Sequence, residues 1–241
     1  MVKLDMQRIF PVKLSRNADL KELKEASRIA DESRDCYIRE LLKAGEEEAA
    51  AEIISLSYDN SSLFSATSKQ ALKRYFRDFK NQNILFDLIV SVYIKDGYNF
   101  PKSVIIKAKS IAKSIPEEKR LAGLPEGDVI TIWRGTYVAN PKAEEYVRRS
   151  ISWTTDKNTA IWFANRISNS WTENGKGALW EGTIDRNKII TFTQDRNESE
   201  VIQYNSVQNL RIIKYTDEDV AAALYEHEKS HEKQRHKIIE E

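Results

Sequence analysis

Three short segments of this sequence place polar side chains at the ends of apolar runs, where a ligand could meet them. Residues 132–136 read Ile-Trp-Arg-Gly-Thr, an apolar strand pattern that ends in an arginine and a glycine. An arginine in an apolar strand is costly to bury unless an anion pairs with it, and its planar guanidinium suits a diphosphate. Gly135 would let a flat ring approach the backbone. The alternative role of Arg134 is a structural salt bridge.

The second segment, residues 150–156, reads Ser-Ile-Ser-Trp-Thr-Thr-Asp and precedes a helical pattern. Strand alternation places Ser152 and Thr154 on one face of a short strand. Thr155 or Asp156 can cap the helix that follows. That helix has an apolar stripe, formed by Ala160, Phe163, Ala164 and Ile167. The alternative is an edge strand and a helix cap without a functional role.

The third segment, residues 194–202, reads Gln-Asp-Arg-Asn-Glu-Ser-Glu-Val-Ile and leads from a polar turn into a strand. Alternation places Glu198 and Glu200 on one face at the start of that strand. Two carboxylates at this spacing repel each other, so a charged partner or a function is expected. Two acids that simply face solvent are the alternative.

In their order and spacing, these segments resemble the Arg/Ser/Glu type of mono-ADP-ribosyltransferase, which includes arginine-modifying bacterial toxins and bacteriophage-encoded enzymes. The resemblance covers about residues 128–215. It implies a compact, split β core that binds NAD in a cleft as a co-substrate, without a metal. One departure is Ser152-Trp153-Thr154, where Ser-Thr-Ser is commoner in the family.

The resemblance also implies the NAD-binding residues. Arg134 would contact the NAD phosphate or ribose, and the backbone of Gly135 would hold the nicotinamide amide. Ser152 would steady the site and orient the catalytic glutamate, with Thr154 supporting the same strand. Phe163 belongs to the helix that contains Phe-Ala in this family, and we include it among the residues that bind NAD.

The catalytic set implied by the resemblance is Glu200, Glu198, Ser152 and Arg134. Glu200 would accept a hydrogen bond from the 2′-OH of the nicotinamide ribose. Glu198 would contact or deprotonate the incoming nucleophile, and residues 195–197 would meet the target. Glu-x-Glu usually accompanies arginine as the acceptor, because a protonated guanidinium needs a carboxylate to orient it and to take a proton. Transfer of ADP-ribose to protein arginine is therefore the expected activity.

Two other functions remain open. Residues 61–120 contain twelve Lys and Arg against five acids, 12 − 5 = +7, with Tyr75, Phe76 and Phe79 among the basic residues. Such a segment could bind nucleic acid, which would make RNA or DNA the acceptor in a toxin or phage-defence effector; a solvated helix surface is the plainer interpretation. The other function is a catalytically inactive NAD-binding or interaction module. An inhibitor or antitoxin protein is considered as a further partner.

The sequence also contains a zinc-protease pattern, which we discount. Residues 227–231 read His-Glu-Lys-Ser-His, which would place two imidazoles on one helical face. A catalytic zinc needs a third protein ligand, and His236 is the only other histidine in the chain. The surrounding helix is charged on nearly all faces, so no dry cavity is expected there.

For the whole chain the sequence predicts an α+β fold with a helical region over residues 1–120, a split and mainly antiparallel β core over 121–216, and a charged helix over 217–241. Helices are predicted over residues 19–57, 68–94 with an interruption near 81–83, and 101–114, and strands over residues 129–133, 178–184, 188–192, 200–203 and 210–214. The chain has 41% apolar residues and a single cysteine, Cys36. Without an apolar run of membrane or signal-peptide length, a location in the cytoplasm of the producing or infected bacterial cell is expected, with no membrane partner.

Overall fold

The chain divides into two compact units, Met1–Ser114 and Ile115–Glu241. The computed structural model describes residues 19–56, 68–95, 97, 99–136, 143–171, 177–195 and 198–240. The boundary lies between residues 114 and 115, and the second unit includes the C-terminal helix.

The described part of the first unit is helical. Its elements are α1 (Leu20–Ala44), α2 (Glu46–Ser55), α3 (Ser68–Tyr75), α4 (Gln82–Lys95) and α5 (Lys102–Ile111), followed by a 3₁₀ turn (Ala112–Ser114). Across the residues that the structure describes in both units, no helix combines the length and the apolar character that a membrane span requires.

Local hydrogen bonds explain where these helices begin. The Asp19 carboxylate accepts from the backbone N–H groups of the next turn, as expected of an N-cap. The helix predicted over residues 19–57 is divided at Gly45, which is extended and separates α1 from α2. The predicted interruption near residues 81–83 is confirmed, because Asn81 Oδ1 accepts from the N–H groups of Asn83 and Ile84 at the start of α4.

The second unit combines one sheet with helices. Its elements are α6 (Glu117–Arg120), β1 (Val129–Thr136), α7 (Ala143–Arg148), β2 (Ser152–Thr154), α8 (Lys157–Trp171), β3 (Ala178–Asp185), a 3₁₀ turn (Arg186–Lys188), β4 (Thr191–Thr193), β5 (Glu200–Ile202), β6 (Gln208–Ile213) and α9 (Asp217–Glu240). The predicted α+β class is confirmed. The strand predicted over 188–192 is shorter, because the 3₁₀ turn occupies its first residue and β4 begins at Thr191.

The six strands form one antiparallel sheet in the order β4-β5-β2-β1-β3-β6. The ladder between β1 and β3 contains eight residue pairs, whereas β1 and β2 are joined by the single pair Trp133–Thr154. The sheet is therefore continuous, and its pairing is narrowest between β1 and β2.

Each face of the sheet packs against its own apolar cluster. One cluster includes Ile132, Trp153, Trp180, Phe192 and Val201, all of them buried. The other joins Ala160 and Ile161 of α8 to Leu179 of β3 and Ala223 of α9, with Trp133 and Trp162 at its margin. Because both faces are covered in this way, β1 and β3 run through the centre of the second unit.

Candidate active site

The three segments singled out in the sequence lie on three neighbouring strands. Arg134 and Gly135 lie in the second half of β1, Ser152 and Thr154 are the two ends of β2, and Glu200 begins β5. These strands are adjacent in the sheet, in the order β5-β2-β1. The fold thus brings together residues that are separated by up to 66 positions, from 134 to 200, in the sequence.

A row of directly opposed residues crosses these strands. Thr154 is opposite Trp133 on one side and Glu200 on the other, and Glu200 is opposite Thr193 of β4. Directly opposed residues of antiparallel strands point to the same face, and Ser152 shares that face by alternation. Glu200 is 4% exposed and Thr154 is 7% exposed. The carboxylate of Glu200 therefore lies in a polar and nearly closed part of the sheet.

Arg134 approaches this row from a different direction. Alternation along β1 places its Cβ on the face opposite to Trp133, together with Ile132. Its Nη1 nevertheless donates a hydrogen bond to the main-chain oxygen of Ser152. The guanidinium therefore links β1 to β2 just beyond the pair Trp133–Thr154, where the ladder between these strands ends.

The loop that carries Glu198 is fastened to the end of β2. Thr154 Oγ1 donates to the carbonyl oxygen of Glu198 at 2.7 Å, and Thr155 N donates to the carbonyl oxygen of Ser199 at 3.0 Å. Ser199 has a φ of 44°, a left-handed conformation that is uncommon for residues other than glycine. Since residues 198–200 are held through their main chain, the positions of Glu198 and Glu200 relative to β2 are fixed.

The sequence allows either Thr155 or Asp156 to cap α8, and in the structure the two residues have different roles. Asp156 is the cap, because its Oδ1 accepts from Asn158 N at 2.9 Å and its Oδ2 accepts from Thr159 Oγ1 at 2.7 Å. Thr155 instead holds the loop at Ser199. The contribution of Ser199 was missed, because a serine between two glutamates gives no sign of a left-handed turn.

The other end of the loop is closed by a local turn. Thr193 Oγ1 donates to Asp195 Oδ2 at 2.8 Å, and Asp195 N donates back to Thr193 Oγ1 at 3.1 Å. Asp195 was expected to meet the target with residues 196–197, which lie outside the described residues. Thr193 precedes this loop and Glu200 follows it, and both residues belong to the row.

Gly135 is constrained by helix packing. A Cβ at this position would lie 2.1 Å from the carbonyl oxygen of Ala160 and 2.4 Å from the N of Ala164, so α8 can pack on β1 only because the side chain is absent. Phe163, on the same helix, is partly buried, and its described ring contact is with Trp162, edge-on at 4.8 Å. The contacts found for Gly135 and Phe163 are thus with α8 itself.

The first histidine of the pattern in α9 contacts an aromatic ring. The His227 ring stacks on Trp162 of α8, with ring centroids 3.8 Å apart and an interplanar angle of 11°. The side chain of His231 lies outside the described residues. Among the side chains that are described, no three His, Cys, Asp or Glu residues are grouped so that they could hold a metal ion.

No protein-family model, no curated protein and no solved structure matches this chain. The case for a function therefore depends on the residue types and on the geometry given above.

Proposed function

We propose that the chain is an NAD-dependent mono-ADP-ribosyltransferase that moves ADP-ribose from NAD to protein arginine and releases nicotinamide. The observation that carries this proposal is the row on neighbouring strands, in which Glu200 and Thr154 oppose each other and Arg134 binds the main chain of Ser152. These are the residues that the resemblance to the Arg/Ser/Glu enzymes selects, and they come from three separate parts of the sequence.

The reaction suits a site with a buried carboxylate and no catalytic histidine. The bond between C1′ of the ribose and N1 of nicotinamide breaks, and its electron pair neutralises the positively charged pyridinium ring. No acid is needed, because the leaving group is already cationic. The sugar passes through an oxocarbenium-like state, which the Glu200 carboxylate stabilises more strongly than it stabilises the ground state. The acceptor nitrogen then forms a bond to C1′ and loses a proton.

The acceptor that we propose is the guanidinium group of an arginine side chain. Glu198 is two residues before Glu200, and its main chain is bound to Thr154, which keeps it beside the row. A carboxylate at that place can orient a guanidinium and accept its proton, which turns a poor nucleophile into an adequate one.

The structure weakens one reason for proposing nucleic acid as the acceptor. Tyr75, Phe76 and Phe79, which were candidates for stacking on bases, are 2%, 6% and 6% exposed. Stacking requires an accessible ring face, so these three residues do not provide one in the first unit. The net charge of +7 over residues 61–120 could still attract nucleic acid, but none of these three aromatic rings is exposed to stack on a base.

The proposal is tested by replacing Glu200 with Gln in the full chain. The amide keeps the size of the side chain but removes the charge, so NAD should still bind while nicotinamide release falls by about a thousandfold or more. That loss corresponds to roughly 4 kcal/mol of transition-state stabilisation. The measurement is release of nicotinamide from labelled NAD, with unfolding curves recorded for both proteins.

The matched control is Glu145→Gln, which alters an exposed glutamate of α7 that pairs with Arg149. This variant should retain wild-type turnover. The proposal fails if Glu200→Gln cleaves NAD as fast as the wild type, or if the folded wild-type chain neither binds nor cleaves NAD. Binding of NAD without any cleavage by the wild type would favour the inactive module.

A further inference from the structure

A cavity of about 300 Å³ lies between α1 and α3 of the first unit. Its polar lining comes from Asp31, Arg34 and Asp35 of α1 and from Gln70, Arg74 and Tyr75 of α3. The volume is at the lower end of the range for small-molecule sites. All of these residues belong to the first unit, so the cavity is separate from the row around Glu200.

Both carboxylate oxygens of Asp35 accept hydrogen bonds from other side chains of the protein. Its Oδ2 accepts from Arg39 Nε at 2.9 Å, and its Oδ1 accepts from Arg74 Nη1 at 2.7 Å and from the hydroxyl of Tyr75. Burial raises the pKa of Asp35, but the hydrogen bonds from Arg39 and Arg74 outweigh it and leave the pKa below its usual value. Asp35 is therefore ionised at neutral pH and fixes the positions of the side chains around it.

Arg34 is in the opposite situation. The residue is 8% exposed, and its Nε is buried without a hydrogen-bond partner. None of the ion pairs among the described residues includes it. A buried N–H group without a partner destabilises a folded chain, so the Nε–H of Arg34 calls for an acceptor.

Nearby charges do not remove that need. Glu52 is close enough for the charge of Arg34 to lower the pKa of its carboxyl group, although burial of Glu52 raises that pKa by more. The charged residues that line the cavity are two arginines and two aspartates, 2 − 2 = 0, and neither of these described carboxylates forms an ion pair with Arg34. The inference therefore rests on the unpartnered Nε of Arg34 and not on a net charge of the cavity.

We propose that this cavity binds a small oxyanion, a carboxylate or a phosphate group, through the guanidinium of Arg34. A guanidinium can hold two oxygens of such a group side by side through two of its N–H groups. The ligand would bridge α1 and α3, and it would stabilise the folded first unit because it binds the native state alone.

The direct test is NMR of the Arg34 Nε–H in the full chain, with sodium phosphate and sodium acetate as separate probes. Sodium chloride keeps the ionic strength constant, so general screening does not contribute. A saturable shift of this signal with either probe supports the proposal and tells which oxyanion chemistry the site prefers. No saturable shift with either probe up to tens of millimolar overturns it.

Thermal unfolding of variants separates ligand binding from a structural role. Binding should raise the wild-type Tm by about 3 °C or more at saturation. Arg34→Met retains much of the volume and removes the unpaired charge, so its Tm without a probe should not fall and its response to the probe should disappear. Arg34→Lys keeps the charge but loses the pair of parallel N–H groups, so the affinity of the variant for the oxyanion should fall at least tenfold.

The matched control is Arg28→Met, which alters an exposed arginine of α1 that is paired with Glu25 and Glu32 and lines the adjoining groove. This variant should retain the full response. An equal response in Arg34→Met and in the wild type would show that the oxyanion acts elsewhere, and a large loss of Tm in Arg34→Met without a probe would make Arg34 a structural residue.

Discussion

Glu198 and Glu200 are two residues apart, yet the structure holds them in different ways. Glu200 begins β5 and is paired with β2 on one side and with β4 on the other, whereas Glu198 precedes β5 and is positioned by the bond from Thr154 Oγ1 to its carbonyl oxygen. The first residue is 4% exposed and the second is partly exposed. A division of roles follows under the proposed function, with Glu200 acting on the sugar and Glu198 acting on the acceptor.

Replacing Glu198 with Gln should separate transfer from hydrolysis. Glu200 remains in this variant, so nicotinamide should still leave and water should capture the sugar. The arginine acceptor loses the group that takes its proton, and transfer should therefore fall at least tenfold further than hydrolysis. The measurement compares nicotinamide release with incorporation of labelled ADP-ribose into protein, at saturating NAD.

Glu145→Gln is again the matched control, because it removes an exposed carboxylate that has no proposed part in the reaction. It should leave the ratio of transfer to hydrolysis unchanged. An equal fall of both activities in Glu198→Gln would place Glu198 on the NAD side of the reaction. Incorporation into RNA or DNA that survives in the variant would favour the nucleic-acid acceptor.

Part of this site could be predicted from the sequence, because strand alternation is a local property. It predicted that Ser152 and Thr154 share a face, which the register of β2 confirms. The contact of Arg134 could not be predicted in the same way. The oxygen that it binds is on another strand, and the place where the ladder between β1 and β2 ends depends on the whole sheet.

At the scale of elements, the packing of α8 on the sheet depends on two glycines. A Cβ at Gly135 would lie 2.1 Å from the oxygen of Ala160, and a Cβ at Gly177 would lie 2.1 Å from the oxygen of Ala164. Both obstructions are backbone atoms of the same helix, which cannot move aside as a flexible side chain can.

Gly135→Ala and Gly177→Ala should each lower the free energy of unfolding by about 1–3 kcal/mol, the usual range for overpacking. The double variant should lose less than the sum, because one displacement of α8 relieves both contacts. Chemical unfolding of the four proteins gives the coupling energy. If the losses of the two single variants add up to the loss of the double variant, the contacts of the two glycines with α8 are independent.

The starts of the helices were predicted more accurately than the start of β4, for a physical reason. Caps such as Asp19 and Asn81 act within a few residues, so their effect can be found in the sequence. The start of β4 was predicted three residues early, because residues 188–192 have a β-forming composition. In the structure, Arg120 Nη1 binds the oxygen of Ile189 at 2.5 Å and Thr191 Oγ1 binds the oxygen of Arg120 at 2.8 Å, contacts that come from distant residues.

At the scale of the molecule, the second unit contains all the proposed catalytic residues and its own apolar clusters. A fragment of residues 115–241 should therefore unfold in one cooperative transition. Its circular dichroism and urea unfolding curve can be compared with those of the full chain. A fragment without a cooperative transition would show that the second unit depends on the first in order to fold.

The number of paired residues differs between neighbouring strands, and the sheet is held together by the fewest backbone hydrogen bonds where this number is smallest. Eight residue pairs join β1 to β3, but one pair and the guanidinium of Arg134 join β1 to β2. Parting the half formed by β4, β5 and β2 from the half formed by β1, β3 and β6 would therefore break few backbone hydrogen bonds, but it would also open the apolar cluster that contains Ile132, Trp153 and Val201. A flat molecule wedged at this seam would leave the ladders on both sides intact. Among the described strands, the junction with the fewest paired residues thus lies beside the buried side chain of Glu200.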